Sequence, residues 1–172
     1  MRTLLPDPPP PEFEALLEQR ARLGLDRRDE VWEGVLHVIP PPSYEHQMVA
    51  QQLAELLGPL ARAAGLVPLV QEFGLGDREN YRVTDGGLHR PGASGVWHPT
   101  AALAIEILSP GDKSWEKLPF YAAHDVDELL ILDPAERTIT WLALRDGEYR
   151  PVQRSGLIEL APGELAQQLD WP

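Results

Sequence analysis

The chain has 172 residues, 43% of them apolar, and 27 acidic side chains against 15 lysines and arginines, for a formal charge of −12 and a pI near 4.7. That length suits one domain with a proper core rather than two, and the absence of cysteine excludes disulfides, thiolate catalysis and cysteine-type zinc sites. The acid excess repels nucleic acid at long range and offers no broad basic patch, leaving room only for a small local cluster or for carboxylates gathered around a metal.

No apolar run approaches the roughly twenty residues needed to cross a bilayer, and the N-terminus lacks a signal-peptide core. A cytoplasmic protein with no membrane contact is the expectation. Residues 1–11 hold Pro6, Pro8, Pro9, Pro10 and Pro11, which predicts an extended or flexible segment ahead of a single domain over 12–172. Phe13 to Leu23 reads as a short helix. Asp29 to Ile39 reads as a strand or tight hairpin about Glu33-Gly34, stopped by Pro40 to Pro42.

Ser43 can cap the next helix, with Glu45 favourable in its first turn. Val49, Leu53, Leu56, Leu57, Leu60 and Ala64 then recur at helical spacing up to Gly65. Leu66 to Phe73 is strand-like, Gly74 to Asn80 a polar turn, and Tyr81 to Val83 a short strand entering Thr84-Asp85-Gly86-Gly87. A loop over Arg90 to Pro99 leads into Ala101 to Leu108, where seven of eight residues are apolar. That pattern predicts a strand buried on both faces. Its one polar residue is Glu106, and a buried carboxylate has to be neutral, paired to a cation or holding a metal.

Ser109-Pro110-Gly111 ends that strand, and a helix follows in which Pro119 either bends the axis or occupies the first turn. Leu129 to Leu132 is a second buried strand. Thr138 to Leu144 and Glu148 to Gln153 form a hairpin across Asp146-Gly147, and Leu157 to Trp171 predicts a strand followed by a short helix. The order of elements predicts an α/β fold built on a mixed sheet.

Several pieces occur together in order. They are Glu33-Gly34, His46-Gln47 at a helix start, Asp85 closing a strand, Ile105-Glu106-Ile107-Leu108-Ser109-Pro110-Gly111, Lys117 and Tyr121 in the next helix, and Val126 to Pro134. In this order the set resembles the Uma-type restriction endonuclease family, a branch of the PD-(D/E)XK nuclease superfamily, over roughly residues 29–150. The resemblance implies a restriction-endonuclease-like mixed β-sheet flanked by helices, a Mg2+ (or Mn2+) site, and hydrolysis of DNA phosphodiester bonds. It matches Asp85 to the first acid and Glu106 to the second, with the Ile107 carbonyl as a third oxygen ligand. The superfamily's lysine normally lies two residues after the second acid. Leu108 stands there, and Lys117 on the following helix matches the lysine of this branch. Thr84 stands where the motif name expects proline, and Asp125 where relatives often carry a helix-ending glycine.

Each of these residues has a plainer reading. Asp85-Gly86 is a turn signal, Glu106 can simply pair with Lys117, and Lys117 alone reads as a solvated helix residue. Glu33 is either a further acid near the metal or a hairpin-turn residue, with the turn favoured. His46 is either a contact to phosphate or metal-bound water, or a packing residue. His37, His89, His98 and His124 lack zinc-ligand spacing, and Trp97 and Trp115 read as packing. The leading expectation is a metal-dependent endonuclease acting on DNA. The charge and Leu108 motivate the alternative of a non-catalytic interaction or regulatory module that keeps the fold, and a hydrolase of small phosphorylated metabolites is a third option. Pairing of two copies through an exposed edge or helix is compatible with such a fold.

Overall fold

The computed structural model describes residues 3–6, 10–69, 71–111 and 113–172. Its strands are β1 (Thr3–Pro6), β2 (Glu30–Trp32), β3 (Val35–Val38), β4 (Val67–Leu69), β5 (Phe73–Gly76), β6 (Tyr81–Thr84), β7 (Gly86–His89), β8 (Trp97–His98), β9 (Leu103–Ile107), β10 (Glu128–Asp133), β11 (Thr138–Arg145) and β12 (Glu148–Pro151). The helices are α1 (Pro11–Arg22), α2 (Tyr44–Ala63), α3 (Leu118–Ala123) and α4 (Pro162–Ala166), with a 3-10 turn at Ser114–Lys117 leading into α3. Among the described residues no helix is long and apolar enough to cross a membrane.

A mixed sheet flanked by helices is what the element order predicts, and two such sheets form. One runs β1-β3-β2-β6-β5-β8 and the other β12-β11-β10-β9-β7-β4. The chain passes between the sheets several times, and between β6 and β7 it does so through a single residue, Asp85. Gly86-Gly87 therefore continues into a strand where composition had suggested only a turn. Gly87 lets β7 lie close on β9: a Cβ there would stand 2.3 Å from the Leu103 carbonyl oxygen and 2.9 Å from Phe73.

The middle of the second sheet, β9 and β10, is buried on both faces. β9 runs parallel to β10, pairing Glu106 with Ile131, and antiparallel to β7. On one face Leu103, Ile105 and Ile107 meet Val49, Leu53 and Leu57 of α2. On the other, Ala104, Leu129 and Ile131 meet Phe120 and Tyr121 of α3. Side chains alternate across a strand, so Glu106 belongs to the α3 face. Each fully buried leucine of α2 contributes about 2 kcal/mol of transfer free energy, and that burial seats the helix.

Several local expectations change in detail. The Leu66 to Phe73 segment divides into β4 and the start of β5, and β5 pairs with β6 through residues expected to turn. Pro119 lies at the start of α3, where its missing N–H has no partner to lose. Asp125 takes the left-handed backbone conformation, φ 51°, which glycine adopts most readily. Asp146-Gly147 turns with both residues at positive φ, which matches the twist of the flanking strands. No strand forms after Leu157. Ser155 Oγ instead accepts from the Leu157 and Ile158 N–H groups and donates to buried Glu128, which holds the segment as a loop. Thr3–Pro6, inside the proline-rich start, is extended and pairs antiparallel with β3; residues 1–2 and 7–9 of that stretch lie outside the described residues.

Gly87→Ala is expected to force β7 off β9 and to lower unfolding free energy by about 3 kcal/mol, at the upper end of ordinary point substitutions. Urea denaturation would measure it, and an unchanged midpoint would contradict the close approach.

Candidate active site

Two acids expected from the motif are brought to one cleft. Glu106 arrives from β9 and Asp85 from the crossing between sheets, and both line a cleft of about 410 Å³ with Glu30, His46, Ile107, Lys113 and Lys117. Asp85 reaches β9 through its backbone, its N–H donating to the Ile105 carbonyl at 3.0 Å. Its Oδ2 accepts the Ile107 N–H at 2.8 Å. Its Oδ1 lies 2.8 Å from Arg28 Nη2 and 3.1 Å from His46 Nε2.

His46 is fixed by the start of α2. Ser43 caps that helix by accepting the His46 N–H, which sets the imidazole, itself buried, against Asp85. Its Nδ1 is buried with no hydrogen-bond partner among the described residues.

Glu106 is almost fully buried, 3% exposed, and so is Lys117. Lys117 Nζ stands 3.0 Å from both Glu106 oxygens. Ser114 Oγ donates to Oε2 at 2.8 Å, and the Tyr121 hydroxyl donates to Oε1. Among the described residues, the 3-10 turn and α3 thus supply the side chains that grip this carboxylate. They do so because Ser114, Lys117 and Tyr121 fall three and four residues apart, on one side of a helical path.

Sequence reasoning missed Glu30. It is 2% exposed, accepts hydrogen bonds from the Val83 N–H at 2.9 Å and Trp32 Nε1 at 2.7 Å, and lies 2.9 Å from Lys117 Nζ. The available signal was an acid beside Val31 and Trp32 in a short apolar strand, the same anomaly that marked Glu106. Glu33 is not brought into the cleft. It occupies the β2–β3 turn at φ 47°, and its largely exposed carboxylate pairs with Arg82 at 2.9 Å. The Arg82 guanidinium is itself held between the Trp32 and Phe120 rings. Trp97 packs as expected, on Tyr81 and over Gly74, whereas Trp115 is about half exposed.

The electrostatics follow from this packing. Burial pushes the Glu106 carboxyl up to about 7; the Lys117 ammonium pulls it down, and the carboxylates of Asp85 and Glu30 push it further up. Burial disfavours the Lys117 ammonium too, but Glu106 and Glu30 outweigh it and raise its pKa. Asp85 ends below the ordinary carboxylate range: burial acts upward, but the hydrogen bond and charge of His46, the Ile107 N–H and Lys117 prevail. Tyr121 is raised well above its usual value, by burial first and then by Glu106 and Glu30, so it stays a neutral donor.

Among the described residues no three His, Asp or Glu side chains converge as a ready-made metal shell. The cleft nonetheless offers carboxylate oxygens from Glu30, Asp85 and Glu106. Two carboxylates from one cleft, completed by water and phosphate oxygens, suit a hard divalent cation such as Mg2+ or Mn2+ better than a nitrogen- or sulfur-loving metal.

Two sheets flanked by helices, with acids from both and a lysine on the connecting helix, define a restriction-endonuclease-like α/β protein. Residues 10–171 match the model of the Uma2 family, described as "Putative restriction endonuclease". The chain belongs to that family. Among solved structures it is similar to "a putative nuclease belonging to DUF820" from Anabaena variabilis, with a TM-score of 0.67 and 16% identity over 81% of this chain and 90% of that one. At that identity the likeness shows the fold. Comparison with curated proteins gives no match. Family and fold together support a nuclease function.

The raised pKa of Glu106 has a thermodynamic consequence. Between pH 4.5, the unfolded value, and about 7 the folded protein keeps a proton that the unfolded chain releases. This carboxyl's contribution therefore becomes less favourable as pH rises through that window, by about 3 kcal/mol in all, and is flat above it. Lys117, raised from a value of 10.5, adds stability that is complete across this window and is lost only at high pH. Asp85, lowered from 3.8, adds stability that is lost only below the window. Glu106→Gln, which cannot ionise, is expected to gain on wild type by up to about 3 kcal/mol between pH 5 and pH 8 in urea denaturation. A stability difference independent of pH would refute the shifted carboxyl.

Proposed function

We propose that the chain is a Mg2+- or Mn2+-dependent endonuclease that hydrolyses phosphodiester bonds of DNA. The observation that carries this reading is the shared cleft: Asp85 and Glu106 reach it from different parts of the sheet architecture, with the Lys117 ammonium in hydrogen-bond contact with Glu106. Asp85 and Glu106 would hold the cation, with the Ile107 carbonyl as a further oxygen. When bound, such a cation polarises a phosphoryl oxygen and lowers the pKa of a coordinated water.

The chain's own groups divide the remaining work. Lys117, kept charged by Glu106 and Glu30, stabilises negative charge gathering on the phosphoryl oxygens and orients the attacking water. His46 and Arg28 hold Asp85 ionised and aimed into the cleft. Glu30 keeps Lys117 from collapsing wholly onto Glu106 by giving it a second carboxylate. Tyr121 and Ser114 fix the Glu106 rotamer.

Nicking of supercoiled DNA with Mn2+ tests the reading. Asp85→Asn and Glu106→Gln are each expected to abolish cleavage and Mn2+ binding. Lys117→Ala is expected to lose about 10²- to 10³-fold in rate, the usual cost of one charge-stabilising donor. Cleavage that survives both acid substitutions would refute the site.

One observation favours a second reading. Lys117, Ser114 and Tyr121 already occupy the Glu106 oxygens, so the acid is satisfied without a cation. Such a centre also suits a non-catalytic interaction module. Calorimetry that detects no Mn2+ binding to wild type would select that alternative.

A further inference from the structure

A second and larger cleft, of about 700 Å³, opens beside the first, and His46 and Asp85 line both. Its long wall is α2. His46, Ala50, Ala54, Gly58 and Arg62 all line it, each four residues after the last, so they form one row about 24 Å long at 1.5 Å per residue. The middle of the row carries no bulky side chain. At its far end Arg62 folds back along the helix, because Gly58 leaves room. A Cβ at Gly58 would lie 3.3 Å from Arg62 Nη2. Glycine inside a helix is destabilising by about 1 kcal/mol relative to alanine, so the space over Gly58 is costly to keep.

Arg27 lines the same cleft. Arg20, Arg28, Arg82, Arg90, Lys113, Lys117 and Arg154 are all held by carboxylates. Arg27 and Arg62 form no ion pair among the described residues, and both are exposed. Arg22, Arg78, Arg137, Arg145 and Arg150 likewise pair with no acidic side chain among the described residues, but none of them lines this cleft. The two acids that share the cleft, Glu72 and Asp85, are both contacted by Arg28, at 3.1 and 2.8 Å. A chain of net charge −12 thus presents two unpaired guanidiniums in one cleft, and that cleft ends at Asp85. Gln47 adds a neutral donor and acceptor on the first turn of the helix.

We propose that this cleft receives the sugar-phosphate backbone of one nucleic-acid strand on one side of the scissile bond, with Arg27 and Arg62 contacting its phosphates. The proposal rests on the endonuclease reading and adds to it a direction of approach: the strand runs along α2 toward His46 and Asp85. Guanidiniums suit this work because their planar fork pairs with phosphate oxygens. The contact carries no base readout, so it is insensitive to sequence.

The test uses the full chain carrying Glu106→Gln, with hydrolysis disabled, and a fluorescein-labelled 20-mer of thymidylate followed by anisotropy across a salt series. Arg27→Ala and Arg62→Ala are each expected to make the slope of log affinity against log salt shallower by about 0.7, as expected for one lost phosphate contact to a single strand. That corresponds to about fivefold weaker binding at 0.1 M salt. Arg62→Lys keeps the charge and is expected to restore the slope, which a merely structural arginine would not do. In the cleaving protein the same alanine variants should raise KM with kcat unchanged.

Unchanged affinity and slope in both alanine variants would overturn the proposal, as would failure of the parent to bind the oligonucleotide at all. Mn2+ calorimetry and nicking separate this from the endonuclease reading. If metal binding and cleavage persist while the arginines prove inert, the cleft assignment falls alone. If metal binding and cleavage are absent, the endonuclease reading falls and the proposal, which rests on it, falls with it.

Discussion

One ammonium group holds this architecture at its centre. Lys117 touches Glu30 from the first sheet and Glu106 from the second, while its own backbone opens the helix between β9 and β10. All three side chains are removed from water. Taking three charges out of solvent is expensive, and their attraction repays it only when geometry and further hydrogen bonds are good. Here they are: Val83 and Trp32 satisfy Glu30, and Ser114 and Tyr121 satisfy Glu106. Such a knot is weak evidence of stability and better evidence of a site. A packed hydrocarbon cluster would join two sheets at lower cost without presenting two carboxylates to a cleft.

The arrangement also explains why the two acids differ. Asp85 is favoured in its ionised form: the Arg28 guanidinium touches it directly, His46 Nε2 lies within hydrogen-bond distance, and Lys117 adds its field. Glu106 shares its one cation with Glu30 and lies deeper, so its proton is held more tightly. Neighbouring carboxylates with opposed shifts are what an asymmetric centre needs, because the two can then take different roles in one reaction. The asymmetry arises from position. One acid stands at the crossing between sheets, near the mouth, and the other in the middle of a strand covered on both faces.

Much of this was legible in the residues. An unbroken apolar run with one acid announced β9 and Glu106 together, because an isolated carboxylate has no other reason to be there. Ser43 and the leucine periodicity announced α2. Asp85 was harder, because Asp-Gly-Gly is also how a chain turns, and only the resemblance separated the two readings. The turn signal itself misled: Gly86 and Gly87 belong to a strand, and Gly87 serves close strand approach rather than reversal. Glu30 was marked only by its neighbours Val31 and Trp32, a weak signal because a three-residue strand is too short to say which side faces inward, and its partner is 87 positions further along the chain. Long-range ion pairs leave no local trace. The division into two sheets was hidden for the same reason, since it depends on which strands find each other.

The crossing at Asp85 has a mechanical consequence. A site carved into one rigid sheet keeps its spacing whatever the rest of the molecule does. Here the two acids ride on either side of a joint, Asp85 at the seam and Glu106 within one of the plates it connects. Any small shear of one sheet over the other alters their separation directly, and any ligand that bridges them resists that shear. Occupancy of the centre would act as a rivet, so that affinity for the ligand and stiffness of the whole fold are two measures of a single free energy.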